Sequence, residues 1–163
     1  MRLSRACGIA VALLAVFLLA GASVSAQELR RREVISDADI DEESLIVFRN
    51  IERAWRSGNA QALAGLLSES RVFMEIRGID RRGGYFTKPQ VLYIFKDLFV
   101  TTKQTVFTFV KFHTLEEQDS RIYGMALRSY KINKSGGLYK DKVYVTLVKE
   151  GSRWAVAEIK STW

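Results

Sequence analysis

Val91, Leu92, Phe95, Leu98 and Phe99 recur at the three-and-four spacing that lines up one face of a helix, and Ile94 widens the stripe. Just before them, Thr87, Lys88, Pro89 and Gln90 form a capping box with proline in the first turn, which predicts that the helix starts there. A helix with so broad an apolar face has to be covered. From Gln104 to Lys160 apolar and polar residues alternate in segments separated by turn residues, and these supply the cover. The pairing predicts a curved sheet wrapped around helices.

Upstream, Val47, Phe48, Ile51, Ala54 and Trp55 trace another helical stripe. Asp37, Asp39, Asp41, Glu42 and Glu43 crowd its start, where negative charge complements the helix dipole. Gly58 is placed to end this helix with a positive φ, and Asn59 to cap a shorter one through Ala62, Leu63, Leu66 and Leu67. Together they predict a helical hairpin with a tight joint. From Arg71 the period becomes two, with Val72, Met74 and Ile76 on one side of a strand and Phe73, Glu75 and Arg77 on the other. Gly78 to Gly84 reads as an exposed turn, and Tyr85 with Phe86 as a brief return strand. After the central helix, strands are predicted at Thr105 to His113, Arg121 to Lys131, Lys142 to Lys149 and Arg153 to Lys160. Turns at Leu115 to Ser120, Asn133 to Gly137 and Glu150 to Ser152 make them an antiparallel meander.

At 163 residues with 48% hydrophobic and 11% aromatic content, the chain suits one domain with a sizeable core. Its first 26 residues read differently: Arg2 and Arg5 precede an apolar run, Ile9 to Ala20, and small residues follow as far as Ala26. That is the form of a secretory signal cleaved after Ala26; the alternative is an uncleaved anchor helix, for which the run is short. Cleavage predicts an exported, periplasmic or secreted protein, with residues 27–39 as a flexible lead-in, 40–163 as the domain, and no remaining membrane span. Cys7, the only cysteine, leaves with the leader, so no disulfide, thiolate site or lipid anchor is expected. The formal charge of +7 falls to +5 once Arg2 and Arg5 are gone. Dispersed as it is, this charge reads as a solvated surface or a mild attraction for anionic partners, and the exported address argues against nucleic acid.

Two tandem helices, a strand, a third helix and a long meander is the order found in the nuclear transport factor 2-like superfamily, the cone-shaped, cystatin-like fold shared with ketosteroid isomerase. Ala54, Trp55, Gly58, Asn59 and Ala62 resemble that superfamily's helical hairpin with its small-residue joint, and Gly151, Arg153, Trp154 and Val156 resemble its last strand. Gly84 to Gln90, Phe95 to Phe99, and His113 with Tyr123 and Gly124 are similar to a bacterial family of exported domains of unknown function within it. The resemblance covers roughly Ser44 to Thr162. It implies an α+β fold in which an N-terminal helix hairpin and a third helix pack in the concave face of a strongly curved, mostly antiparallel sheet. It also implies a pocket between sheet and helices, where related enzymes place an acid, a histidine or a tyrosine for proton transfer.

His113, the only histidine, alternates with Phe109 and Lys111 near a strand end, so it is either a general base or a strand-end residue facing water. Glu158 shares a face with Trp154 and Val156 on simple alternation; in an apolar wall its pKa would be raised for proton abstraction, whereas Lys160 argues for a solvated or salt-bridged carboxylate. Glu75 stands in the same position relative to Arg77. Tyr85, Tyr93, Tyr123, Tyr130 and Tyr144 offer hydroxyls to fix a ligand, or are core and rim. An inward Arg128 would clamp a ligand carboxylate, although an exposed strand arginine is commoner. Tyr85, Tyr93, His113, Tyr123, Arg128, Trp154 and Glu158 are therefore the ligand-pocket candidates, with no residue assigned as catalytic.

No calcium-loop or zinc-ligand spacing, phosphate-cradling glycine loop or serine nucleophile elbow occurs in the sequence, so neither metal nor cofactor is expected. The expected function is a non-catalytic exported module that binds a small apolar ligand or partner protein in a cone pocket or on its sheet face. The alternative is a cofactor-independent isomerase, dehydratase or hydrolase using Glu158, Glu75 or His113. A homodimer is expected by analogy with the superfamily.

Overall fold

The computed structural model describes residues 35–36, 40–77, 83–114 and 120–162. The leader, most of the lead-in, residues 78–82 of the turn expected at Gly78 to Gly84, and residues 115–119 of the turn expected at Leu115 to Ser120 lie outside the described residues. Residues from Val34 onward form one compact unit. Its elements are β1 (Ile35–Ser36), α1 (Glu42–Arg56), α2 (Ala60–Gly65), β2 (Val72–Glu75), β3 (Gly84–Phe86), α3 (Lys88–Thr101), β4 (Thr102–Thr114), β5 (Arg121–Ile132), β6 (Leu138–Glu150) and β7 (Arg153–Thr162). The strands form one sheet in the order β1-β4-β5-β6-β7-β2-β3, in which β4 to β7 make the antiparallel meander. The edge additions β1 on β4 and β2 on β7 are parallel. Ile35 and Ser36, within the lead-in, thus pair with Lys111 and Phe112.

Local chemistry sets the helix ends. Asp41 Oδ1 accepts from the Ser44 N–H at 2.8 Å, capping α1. Gly58 adopts φ +66, and Asn59 Oδ1 accepts from the Ala62 N–H at 2.9 Å, so the hairpin turns within the three residues Ser57, Gly58 and Asn59. At the start of α3 the Thr87 N–H donates to Gln90 Oε1 at 2.9 Å. α3 runs directly into β4, and the Thr102 hydroxyl donates to the Leu98 carbonyl across the joint.

The helices lie on the concave face of the curved sheet. Phe48, Ile51, Ala54 and Trp55 of α1 and Val91, Phe95 and Leu98 of α3 are buried there, against Phe107, Ala126, Val143, Val145 and Leu147. On α2 the buried residues are Ala60, Leu63 and Ala64; Ala62, expected on that stripe, is exposed because its turn of helix faces away from the core. Trp55 links the two layers: it stacks on Phe107 at 4.4 Å and meets Phe95 edge-on at 5.3 Å. Each such ring contact adds about 0.5–1.5 kcal/mol beyond simple burial.

Bulges bend the sheet. The β4–β5 register shifts between Gln104 and Val106 and again between Phe109 and Lys111, and the β6–β7 register shifts between Thr146 and Leu147. Each extra residue also exchanges the faces of everything beyond it on that strand.

Candidate functional site

The concave face holds the ring cluster that a ligand in the cone would have to displace. Phe48 lies 4.9 Å from both Phe109 and Phe112. Gly124 makes room for them, since a Cβ there would come within 2.7 Å of the Phe48 ring and 2.9 Å of Phe109. Above this cluster the Trp55 indole donates to Gln104 Oε1 at 3.3 Å, and the Gln104 amide donates to the Thr102 hydroxyl at 2.8 Å. The polar atoms there are joined to one another.

Arg128 is the candidate that does face inward. It is 1% exposed and lies directly opposite Asp141 of β6. Its Nε donates to Asp141 Oδ1 at 2.8 Å and its Nη2 to Asp141 Oδ2 at 2.5 Å, a forked, charge-assisted pair with both side chains fully buried. Nη2 also donates to the Arg77 carbonyl at 3.4 Å, and the guanidinium lies 4.3 Å over the Tyr130 ring. Burial pushes the Tyr130 phenol pKa above its ordinary value, so the ring stays neutral at physiological pH. Asp141 was not singled out in the sequence, and counting outward from the turn expected at Asn133 to Gly137 would pair Arg128 with Lys142; the observed register, Lys131 opposite Leu138, is one residue away and brings in Asp141.

Trp154 is buried at the other end of β6, where it opposes Lys149, and its indole donates to Asp41 Oδ2 at 3.0 Å. Their β6 partners, Asp141 and Lys149, are eight residue steps apart, about 26 Å of strand. Trp154 and Arg128 therefore do not share a ligand.

The bulges overturn the expected faces of Glu158 and His113. Thr146 pairs with Glu158 while Leu147 pairs with Val156, so Ala157 is the extra residue and Glu158 points to the outer face, opposite to Val156. Its carboxylate pairs with Lys160 and accepts from the Thr146 hydroxyl at 3.2 Å. On β4, Phe109 pairs with Ala126 and Lys111 with Met125, so Val110 is extra and His113 loses the alternation with Phe109. The imidazole stacks on Tyr123 at 4.8 Å, half-buried on the outer face. Glu52 of α1 was also missed; its carboxylate accepts the Phe109 N–H at 3.2 Å, beside the β4 bulge.

Four of the seven candidates nevertheless fall into one line. Tyr85 is opposite Phe73, Phe73 opposite Glu158, Glu158 opposite Thr146, Thr146 opposite Tyr123, and Tyr123 opposite His113. The line crosses six strands on the outer face and spans about 24 Å at the usual interstrand spacing. Tyr85, 66% exposed, packs edge-on against Phe73 at 5.2 Å, and the Lys160 ammonium sits 4.9 Å over the same Phe73 ring. Glu75, opposite Lys160, belongs to the neighbouring row. Glu158 and His113 stand three strands apart, about 14 Å, too far to act on one proton acceptor and donor pair.

Tyr93 lies elsewhere, 75% exposed on α3. With Phe86, Pro89, Gln90 and Ile94 it lines a shallow groove of about 380 Å³ that opens to solvent. Among the described residues no three His, Asp or Glu side chains gather closely enough to hold a metal ion, and no helix is long and apolar enough to cross a membrane.

No protein-family model and no curated protein matches the sequence. Solved structures do match. A DUF4783 family protein from Bacteroides uniformis superposes with a TM-score of 0.57 at 15% identity, covering 69% of this chain and 93% of that one. A ketosteroid isomerase-like protein from Erwinia carotovora atroseptica gives 0.59 at 11% identity, covering 75% and 96%. An NTF-2 like protein of unknown function from Shewanella oneidensis gives 0.55 at 13% identity, covering 73% and 95%. At these identities the likeness is one of architecture: the chain has the cone-shaped fold of nuclear transport factor 2-like proteins.

Proposed function

We propose that this chain is an exported, non-catalytic binding module that works through the outer face of its sheet. The observation that carries the reading is the cross-strand row from Tyr85 to His113. Hydroxyl, carboxylate, imidazole and ring groups stand there on an open surface, while aromatic side chains pack the concave side. A broad face with alternating rings and polar groups suits a protein partner better than a small molecule, which needs enclosure. A second copy of the chain is the first partner to test, because a row that ends in Tyr85 and Phe73 on one side and in Tyr123 and His113 on the other can meet itself ring against ring under a two-fold axis. The small-ligand reading rests on the groove beside Tyr93.

Sedimentation of the purified chain with its leader removed tests the proposal. A concentration-dependent dimer that Tyr123→Asp converts to monomer, with the circular dichroism spectrum retained, is the expected result. A monomer at all concentrations whose outer face takes up no added envelope protein counts against it. Turnover of a ketone or hydroxy-acyl compound that disappears in Glu158→Gln would establish the enzymatic alternative instead.

A further inference from the structure

Lysines scattered along the sequence meet at the end of the sheet where β5 turns into β6. On the outer face Leu138 of β6 lies opposite Lys131 of β5, and Lys131 opposite Lys103 of β4; in the next row Lys140 lies opposite Ser129, and Ser129 opposite Val106. Lys142 follows in the row beyond, opposite Leu127, and Lys134 stands in the turn itself. These lysines are all exposed, and none of them has an acidic partner among the described residues. Asp141, between Lys140 and Lys142, is turned inward onto Arg128, and Asp97, the one acid of α3, is offset by its neighbour Lys96. Lys131 and Lys103 are like charges directly opposite each other, an arrangement that costs a sheet stability. Exposed aliphatic side chains share this corner. Val106 is 43% exposed and Leu138 55%. Asn133 Nδ2 donates to the Val100 carbonyl at 2.7 Å, which brings the end of α3, with Val100 75% exposed, to the same turn.

We infer that this corner docks on an anionic phospholipid surface, with Val100, Val106 and Leu138 entering the interfacial layer and the lysine ammonium groups on the headgroup phosphates. Charge complementarity selects the occupant: a patch of one sign, uncompensated within the protein, is relieved by a surface of the other sign. The aliphatic residues within the patch favour a bilayer over a nucleic-acid strand, which is held by stacking rings and forked arginines. Lysine stems lie along an apolar layer while their charged heads stay in water. The patch is remote from the row of Tyr85 to His113, because Lys140 and Thr146 are six residue steps apart on β6, about 20 Å. The inference does not rest on the reading of that row, and either can fail without the other.

Vesicle flotation of the chain from Gln27 tests this, the apolar leader being removed so that it cannot itself bind lipid. Vesicles of about one-third phosphatidylglycerol are expected to bind the protein about tenfold more tightly than vesicles of phosphatidylcholine alone, and the difference should shrink in high salt. Lys131→Glu/Lys140→Glu should abolish the preference. Arg49→Glu/Arg121→Glu, the same change in net charge on exposed residues elsewhere, should keep it. Leu138→Ser should weaken binding to the phosphatidylglycerol vesicles severalfold. The substituted side chains are all exposed, and the Lys131 reversal sets opposite charges across from each other at Lys103, so the circular dichroism spectrum should be retained. If the Lys131→Glu/Lys140→Glu variant does not fold, Lys103→Gln/Lys131→Gln is expected to reduce the same preference. Equal binding to the two kinds of vesicle, equal losses in the two charge-reversed double variants, unchanged binding of Leu138→Ser, or tighter binding to heparin or polyglutamate than to the vesicles would each overturn the inference.

Discussion

Truncating Arg128 to alanine leaves Asp141 as an isolated carboxylate with no solvent to take over from the guanidinium. The expected loss is about 3–5 kcal/mol, read from urea unfolding, whereas removing both charges together should cost little. Gly124 is a second sensitive residue, for a steric reason. Its φ is ordinary, but an added methyl would overlap the Phe48 and Phe109 rings, so Gly124→Ala should destabilise by about 1–3 kcal/mol. Both residues could be named from the sequence, Arg128 as a clamp only if it faced inward and Gly124 as part of a motif. Their roles could not, because the Asp141 partner is 13 residues away across a hairpin and the two rings come from α1 and β4.

Elements are joined at one end of the molecule by a polar clasp. Glu69, after α2, pairs with Lys88 at the start of α3 at 2.9 Å and with Arg153 of β7 at 3.1 Å; Arg153 also reaches Glu150 of β6, which accepts from the Ser68 hydroxyl. The Lys88 hydrogen bond holds the Glu69 carboxyl below its ordinary pKa, and the Ser68 hydroxyl does the same for Glu150. Because both folded-state values are lowered, the clasp stabilises fully above the unfolded glutamate pKa of about 4.3, and the contribution is lost as pH falls through the lower folded values. Melting temperature should therefore drop between about pH 5 and about pH 3, less steeply in Ser68→Ala. The exposed pairs make the effect small and weaker in high salt. Asn59→Ala should cost about 1 kcal/mol through the lost cap on α2. Helix ends of this kind are legible in sequence because a cap acts within three residues. The faces of Glu158 and His113 were not, since alternation assumes an unbroken ladder and the extra residues Ala157 and Val110 show only against the partner strand.

For the whole molecule, the exported reading predicts that the protein recovered from outside the cytoplasm begins at Gln27, which intact mass or N-terminal sequencing checks directly. One continuous cluster of buried residues runs through α1, α2, α3 and the sheet, so thermal unfolding should be a single cooperative transition. The amino-acid order by itself determined the helices, their caps, the meander and its turns, because periodicity and capping are short-range effects of the backbone; the cone was implied by the resemblance of these elements and motifs to a known superfamily. Only the tertiary structure decided which side chains share a face, which charge Arg128 meets, and that rings from α1, α3 and β4 pack the concavity. Those outcomes depend on bulges and side-chain volumes contributed by segments far apart in the chain, which no local pattern records.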